Sequence, residues 1–429
     1  MIDCRRERLP NGLRLITVEM PSFHSAIALV YLRMGPRFES LATSGLSHVA
    51  EHVLFKGTAR FPGPEQIARE LDALGGELNG ATLPEYTEFY VSCHSRHFLR
   101  GLELLCDIIL RPRFHPEHIE TERQVILEEI AHCRDATHGG VSVDELSHGL
   151  MWPRQAHAFS PLGDAANVSR FTPEAIETHY RQHLVGENLV VCVAGNYARD
   201  TVREMIAASL GSLPRGERVL CPPLDDGQTE TRCMFRRGRG RMAAIRLCHK
   251  AFSYHDPRVH PVLVLSDILG GGVTSRLFSR LRERQGLVYD VWANTTLFSD
   301  CGWVDIATTT GRAKAGDALA GALEEIDRIV SEGVAEDDLQ TIKDRVACHM
   351  EMLEDSPPDV AEWLGTREML LAPDTFVTPA DEARELRKVT ADQTRTVARE
   401  LFRPDRRSLV YVGPSSWQQR RRIRALIAR

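Results

Sequence analysis

Two stretches of this 429-residue chain superpose on two others without a gap. Phe171-Thr172-Pro173-Glu174 falls on Val389-Thr390-Ala391-Asp392, and at the same offset Val191-Cys192-Val193-Ala194-Gly195 falls on Leu409-Val410-Tyr411-Val412-Gly413. Self-similarity at a fixed distance is the mark of a duplicated unit. The length also exceeds what one ordinary core covers. We therefore expect two related domains, 1–212 and 230–429, joined by a linker over 213–229 that is rich in Pro, Gly and charge.

Within the first copy, apolar alternation and turn signals place strands at Leu13 to Val18, Ala26 to Leu32, Glu77 to Thr82, Glu85 to Cys93 and Leu189 to Ala194. Helical periodicity covers Pro64 to Leu74, Arg96 to Ile109 and Pro173 to His183. The order shows no regular βαβ alternation, so the expected class is α+β, with a mostly antiparallel sheet packed with helices in each domain. Residues Met1 to Pro10 are charged and carry no apolar run, so neither a secretory signal nor a membrane anchor is expected. An apolar fraction of 43% and 26% charged residues fit a soluble globular protein, the net charge of −6 gives no reason to expect nucleic acid, and no stretch approaches the length of a transmembrane helix, so no membrane partner is expected. The ten cysteines show no C-x-x-C spacing, and Cys106 and Cys192 lie in apolar runs. Buried thiols in a reducing cytoplasm are the expectation.

The chemistry centres on His48-Val49-Ala50-Glu51-His52. On a helix, a four-residue step puts both imidazoles on one face, where they can share a metal ion, with the Glu51 carboxylate beside them to take a proton from water. Such a pentapeptide also arises by chance, and context has to support it. Ser44 is the expected cap of a helix starting near Gly45, Val49, Val53, Leu54 and Phe55 supply apolar surface, and Gly57 is the expected stop. A third ligand is sought on a second helix, Pro116 to Cys133, where Glu128 and Glu129 compete. With Ile119, Ile126, Ile130 and Cys133 defining the inward face, Glu128 points away, Glu129 lies at the edge, and Glu122 sits one turn pair earlier on the same side. Periodicity therefore selects Glu129 as ligand and Glu122 as its helper, against the plainer reading of surface carboxylates. The duplication offers a control. Setting Phe55-Lys56-Gly57 on Gly270-Gly271-Gly272 places His48, Glu51 and His52 opposite Leu263, Ser266 and Asp267, so the second copy keeps the apolar helix and lacks the ligands.

The stretch Gly45 to Thr58 closely resembles the metal helix of the pitrilysin superfamily of inverted-zincin peptidases, which includes insulin-degrading enzyme and mitochondrial processing peptidase. The chain looks most like the short bacterial processing-peptidase branch, and the family's spacing to its third ligand also falls on Glu129. Asn79-Gly80-Ala81-Thr82, with Glu85, Thr87 and Tyr90, resembles the family's substrate strand, although Gly80 stands where another small residue is usual. Leu269-Gly270-Gly271-Gly272-Val273-Thr274-Ser275-Arg276-Leu277-Phe278, running on to Arg282 and Tyr289, resembles its arginine–tyrosine element. Read alone, those glycines suggest a phosphate cradle, but no Gly-Lys-Ser/Thr follows.

The resemblance implies a pitrilysin-like fold and a zinc endopeptidase that holds peptides or short unfolded segments in an enclosed chamber. One zinc per chain would be held by His48, His52 and Glu129. Glu51 would be the general base, with Glu122, Arg282 and Tyr289 completing the catalytic set and Asn79, Ala81 and Thr82 binding substrate. The expected assembly is a homodimer, or a heterodimer with a related subunit. Two other readings stand beside it: a non-catalytic or structural subunit of a pitrilysin-like complex, and a peptidase dedicated to the maturation of one modified peptide. The basic stretch Trp417 to Arg429 reads as a solvated terminal helix.

Overall fold

In a computed structural model the described residues are 3–136, 142–225, 227–238, 241–372 and 374–428. They fall into two compact units. One comprises Met1–Ile130, Phe159–Pro223 and Glu351–Thr378, and the other Ala131–Ala158, Leu224–Met350 and Pro379–Arg429. The units are therefore not the two continuous halves of the chain. Each half lends a segment to the other's unit.

The first unit is built on six strands: β1 (Asp3–Arg8), β2 (Arg14–Glu19), β3 (Ser25–Leu32), β4 (Glu77–Thr82), β5 (Thr87–His94) and β6 (Leu189–Gly195), in the order β1-β2-β6-β3-β5-β4. Only the β2–β6 pair is parallel. Strand β6 is buried at every position, which requires cover on both faces. On one face Leu189, Val191 and Val193 join Leu102 and Leu105 of the helix Phe98–Leu110 in the main core. The helix Pro357–Leu370, lent by the second half, packs on β6 and β3. Gly365 on that helix is where a Cβ would come within 2.1 Å of the Tyr31 ring, so only glycine allows this approach. Glu368 locks the helix down: its carboxylate meets the Arg6 guanidinium at 2.8 Å, and its carbonyl accepts from Arg14 Nη1 at 2.5 Å.

Strand β1 is not among the strands the sequence pattern places, because five of its six residues are charged and it carries no hydrophobic period. It pairs along its whole length with β2 and is pinned by ions, Arg199 to Asp3 at 2.9 Å and Arg203 to Glu7 at 2.9 Å.

The second unit has five strands: β7 (Arg232–Arg236), β8 (Met242–Ala251), β9 (Asp290–Leu297), β10 (Gly302–Gly311) and β11 (Arg407–Val412), in the order β7-β11-β8-β10-β9. Here too one pair, β7–β11, is parallel and the rest are antiparallel. This order and sense repeat those of β2-β6-β3-β5-β4. The borrowed helix in this unit is Val143–Met151, which packs on β11 and β8. Arg232 Nη1 donates to the carbonyls of Leu150 at 2.9 Å and Met151 at 2.8 Å, satisfying the orphan carbonyls at that helix's end. The terminal helix Trp417–Ile427 buries Ile423 and Ile427 and turns Arg421, Arg422 and Arg424 to solvent. Among the described residues no cysteine forms a disulfide, and no helix is long and apolar enough to cross a membrane.

Candidate metal centre

The helix Leu46–Leu54 carries His48, Glu51 and His52 and is almost wholly buried. Its start differs from the sequence expectation. Ser44 does not cap it. The N-cap is Gly45, whose φ of 105° lies in the left-handed region and which has no side chain to offer. Glu39, buried just after β3, supplies the acceptors instead: Oε2 accepts from the Gly45 N–H at 2.8 Å and Oε1 from the Ser47 N–H at 2.7 Å. A carboxylate at a helix N-terminus also meets the positive end of the dipole. Burial pushes the Glu39 carboxyl up, opposed by these hydrogen bonds. The helix likewise ends at Leu54, with Phe55 as C-cap, before Gly57 is reached.

The second helix runs Pro116–Ala136. Glu122, Ile119, Ile126 and Ile130 are buried, whereas Cys133, expected on the same face, is exposed because the helix has by then left the first unit's core. Glu129 is partly buried and Glu128 exposed. Glu129 Oε2 lies 3.7 Å from His48 Nε2 and 3.7 Å from His52 Nε2. Those separations are too long for hydrogen bonds, which usually run to about 3.2 Å and are no longer bonds by about 3.6 Å. They are close to the edge of a tetrahedron around bonds of about 2.0 to 2.1 Å, which is about 3.4 Å. His48, His52 and Glu129 are a group whose donor atoms all lie within 4.8 Å of one another.

The surroundings suit a cation. His48 turns Nε2 toward Glu129, while its Nδ1 is buried with no hydrogen-bond partner among the described residues. Burial, and then the nearby His52, push the His48 imidazole down to about 3, so it stays neutral with a lone pair to give. His52 Nδ1 lies 3.0 Å from Glu122 Oε2, and Lys56 Nζ lies 2.8 Å from Glu122 Oε1. Burial pushes the Glu122 carboxyl up, but the bonds from His52 and Lys56 outweigh it and hold it low. A carboxylate in that place fixes the ring and its tautomer, leaving the His52 Nε2 lone pair for a metal. The donor set, two imidazoles and a carboxylate, fits a borderline divalent ion.

Glu51 Oε2 accepts from Thr82 Oγ1 at 2.6 Å. Burial raises the Glu51 carboxyl's pKa, while the Thr82 bond and His52 pull the other way. Thr82 thus contacts the catalytic candidate directly. It lies with Asn79 and Ala81 on β4, the edge strand of the sheet. A Cβ at Gly80 would come to 3.1 Å from the Phe89 ring and 3.2 Å from that of Phe55, which is a reason for glycine at that position. Arg282 and Tyr289 belong to the second unit. The Arg282 guanidinium lies over the rings of Phe278 at 4.7 Å and Tyr289 at 5.4 Å, and Tyr289 is 76% exposed. Leu263, Ser266 and Asp267 lie on the helix Val259–Gly270, which follows β8 as the metal helix follows β3.

Glu39 and Lys56 escaped the sequence reading. Lys56 stands one turn after His52, a spacing that could have flagged it. Glu39 acts across a loop, and no periodicity points to it.

The pattern of the family described as "Insulinase (Peptidase family M16)" matches residues 14–153. The companion pattern, "Peptidase M16 inactive domain", matches residues 170–346. The chain belongs to peptidase family M16. It is 30% identical over 432 residues to an uncharacterized zinc protease of Streptomyces coelicolor, covering 99% of this chain and 92% of that protein. A similar protein of Bacillus subtilis, also described as an uncharacterized zinc protease, is 25% identical over 415 residues, covering 96% and 98% of the two chains. In fold the chain is similar to a protease from Helicobacter pylori, with a TM-score of 0.87 at 18% identity over 96% of this chain and 100% of that one. It is also similar to a Pseudomonas fluorescens structure described as a peptidase M16 inactive domain, with a TM-score of 0.86 at 18% identity over 96% and 98% of the two chains.

Proposed function

We propose that this chain is a zinc-dependent endopeptidase. The observation that carries the reading is that one donor atom from each of His48, His52 and Glu129 lies within 4.8 Å of the others. These three residues would hold one zinc per chain. A zinc ion bound there supplies Lewis acidity, which acidifies water and polarises a carbonyl. Glu51, beside the ligands and steadied by Thr82, takes the proton from the attacking water and later gives it to the leaving amine. Glu122 keeps the His52 ring in place. The β4 edge, with Asn79, Ala81 and Thr82, offers unpaired backbone groups on which an extended peptide can add as a strand. Tyr289 can donate to a developing oxyanion, and Arg282 can hold a substrate carbonyl without losing its proton.

The substrate we assign is a peptide or short unfolded segment enclosed in a chamber, and the assembly a dimer. A reducing cytoplasm suits a chain in which no described cysteine forms a disulfide. The test is the Glu51→Gln protein. It should keep its zinc and lose about two to four orders of magnitude in peptide cleavage, the usual contribution of a positioned general base. Metal analysis and cleavage of a peptide library, read by mass spectrometry, decide it. Near-normal cleavage by that protein, or no zinc retained after reconstitution of the wild type, sinks the reading.

A further inference from the structure

A second group of ligating side chains lies in the other unit. His157, Asp300 and Cys301 each offer one donor atom, and these atoms lie within 4.8 Å of one another. His157 sits on the single turn Ala156–Ala158 that follows the borrowed helix Val143–Met151. Asp300 and Cys301 occupy the turn between β9 and β10, which is closed by the Phe298 N–H donating to the Cys301 carbonyl at 2.8 Å. The two segments are 143 residues apart in sequence.

The environment is built. The His157 side chain is 3% exposed, with its ring against Trp152 at 5.1 Å and edge-on to Phe298 at 6.0 Å. Cys301 is buried in the same cluster, with Met151, Trp152, Cys248, Phe298 and Trp303. The Asp300 side chain is 32% exposed and opens the group to water on one side. His157 Nε2 lies 3.4 Å from Asp300 Oδ1. That is a long hydrogen bond, and it is also about the edge expected between two donors on a tetrahedral ion with bonds of about 2.0 to 2.1 Å.

We propose that His157, Asp300 and Cys301 supply three ligands of a second site for a zinc-class divalent ion, its fourth position filled by water on the open Asp300 side, separate from the one on the His48 helix. The donor set selects the ion. Calcium and magnesium take oxygen ligands, whereas a thiolate and an imidazole together suit zinc and cobalt(II). Binding converts the thiol to thiolate with release of one proton to solvent, and the metal charge offsets the two adjacent anions at Asp300 and Cys301. Its role would be a staple. It fastens the end of the segment lent by the first half to the β9–β10 turn of the sheet that this segment covers.

Cobalt(II) separates the two sites spectroscopically. The His48, His52 and Glu129 set contains no sulfur, so a thiolate-to-cobalt charge-transfer band in the near ultraviolet can come only from a cysteine-bearing site. Metal-stripped full-length protein titrated with cobalt(II) should take up two equivalents and develop that band. Cys301→Ser should remove the band and one equivalent. Asp300→Asn exchanges an anionic ligand for a neutral one and should weaken the band-forming site by at least the roughly tenfold that loss of an outer partner costs. A protein with both His48→Ala and His52→Ala should lose the other equivalent and keep the band, so failure of the peptidase site and failure of this one are told apart. A wild type that shows no thiolate band overturns the proposal and leaves a plain His157–Asp300 hydrogen bond. A band that persists undiminished in Cys301→Ser overturns it equally.

Discussion

Glu128 and Glu129 are neighbours on one helix, and a rotation of about 100° between them decides their chemistry. Glu129 turns an oxygen to both His48 and His52, at 3.7 Å each. Glu128 is exposed. Glu129→Gln exchanges an anionic donor for a neutral one and should lose most bound zinc on dialysis against a weak chelator. Glu128→Gln should retain it and change stability by no more than about half a kcal/mol. Glu122→Gln stands between them. It leaves all three donors but weakens the hold on His52 Nδ1, and should reduce zinc affinity by roughly 10- to 100-fold. Zinc content of the three proteins after the same dialysis ranks them. Equal loss from Glu128→Gln and Glu129→Gln would contradict the assignment of ligand.

At the level of elements, the metal helix depends on a residue outside it. Its first turn is buried, so the Gly45 and Ser47 N–H groups have no water to turn to, and Glu39 is their acceptor. Glu39→Ala removes both charge-assisted bonds, each contributing about 1.5 to 3 kcal/mol, and with the burial cost of the carboxylate set against them should cost roughly 2 to 4 kcal/mol in all. Urea unfolding should show a lower midpoint, and zinc affinity should fall with it because His48 begins in the loosened turn. Glu39→Gln keeps one acceptor and should fall between wild type and Glu39→Ala. An unchanged midpoint in Glu39→Ala would show that another group takes over the cap.

For the whole molecule, we propose from the sequence resemblance a dimer in which each metal site would be completed by Arg282 and Tyr289 of the partner subunit. Longer members of that superfamily carry four related domains in one chain, and two copies of this two-unit chain restore the number. A symmetric dimer makes a quantitative forecast. Glu51→Gln protein mixed with Tyr289→Phe protein, under conditions that exchange subunits, forms mixed dimers with one doubly altered site and one intact site. A statistical mixture should then recover up to about a quarter of wild-type cleavage. If exchange is demonstrated by mass and no activity returns, each site is completed within its own chain.

The sequence by itself determines what is local. The four-residue step from His48 to His52 is a property of one helix. So is the phase that separates Glu129 from Glu128, and strands β3, β4 and β6 announce themselves by their own side chains. Strand β1 does not, because five of its six residues are charged and partners such as Arg199 and Arg203 lie far along the chain. Nor could periodicity show that Cys133 lies outside the core, since a helix carries its pattern past the point where its neighbours end. What only the tertiary structure decided is who meets whom. Glu39 reaches the metal helix across a loop, Glu368 on a borrowed helix meets Arg6 and Arg14, and His157 finds Asp300 and Cys301. The reason is physical. Backbone geometry repeats within a few residues and leaves its trace in spacing, whereas contacts between distant segments are settled by which buried faces and charges need cover.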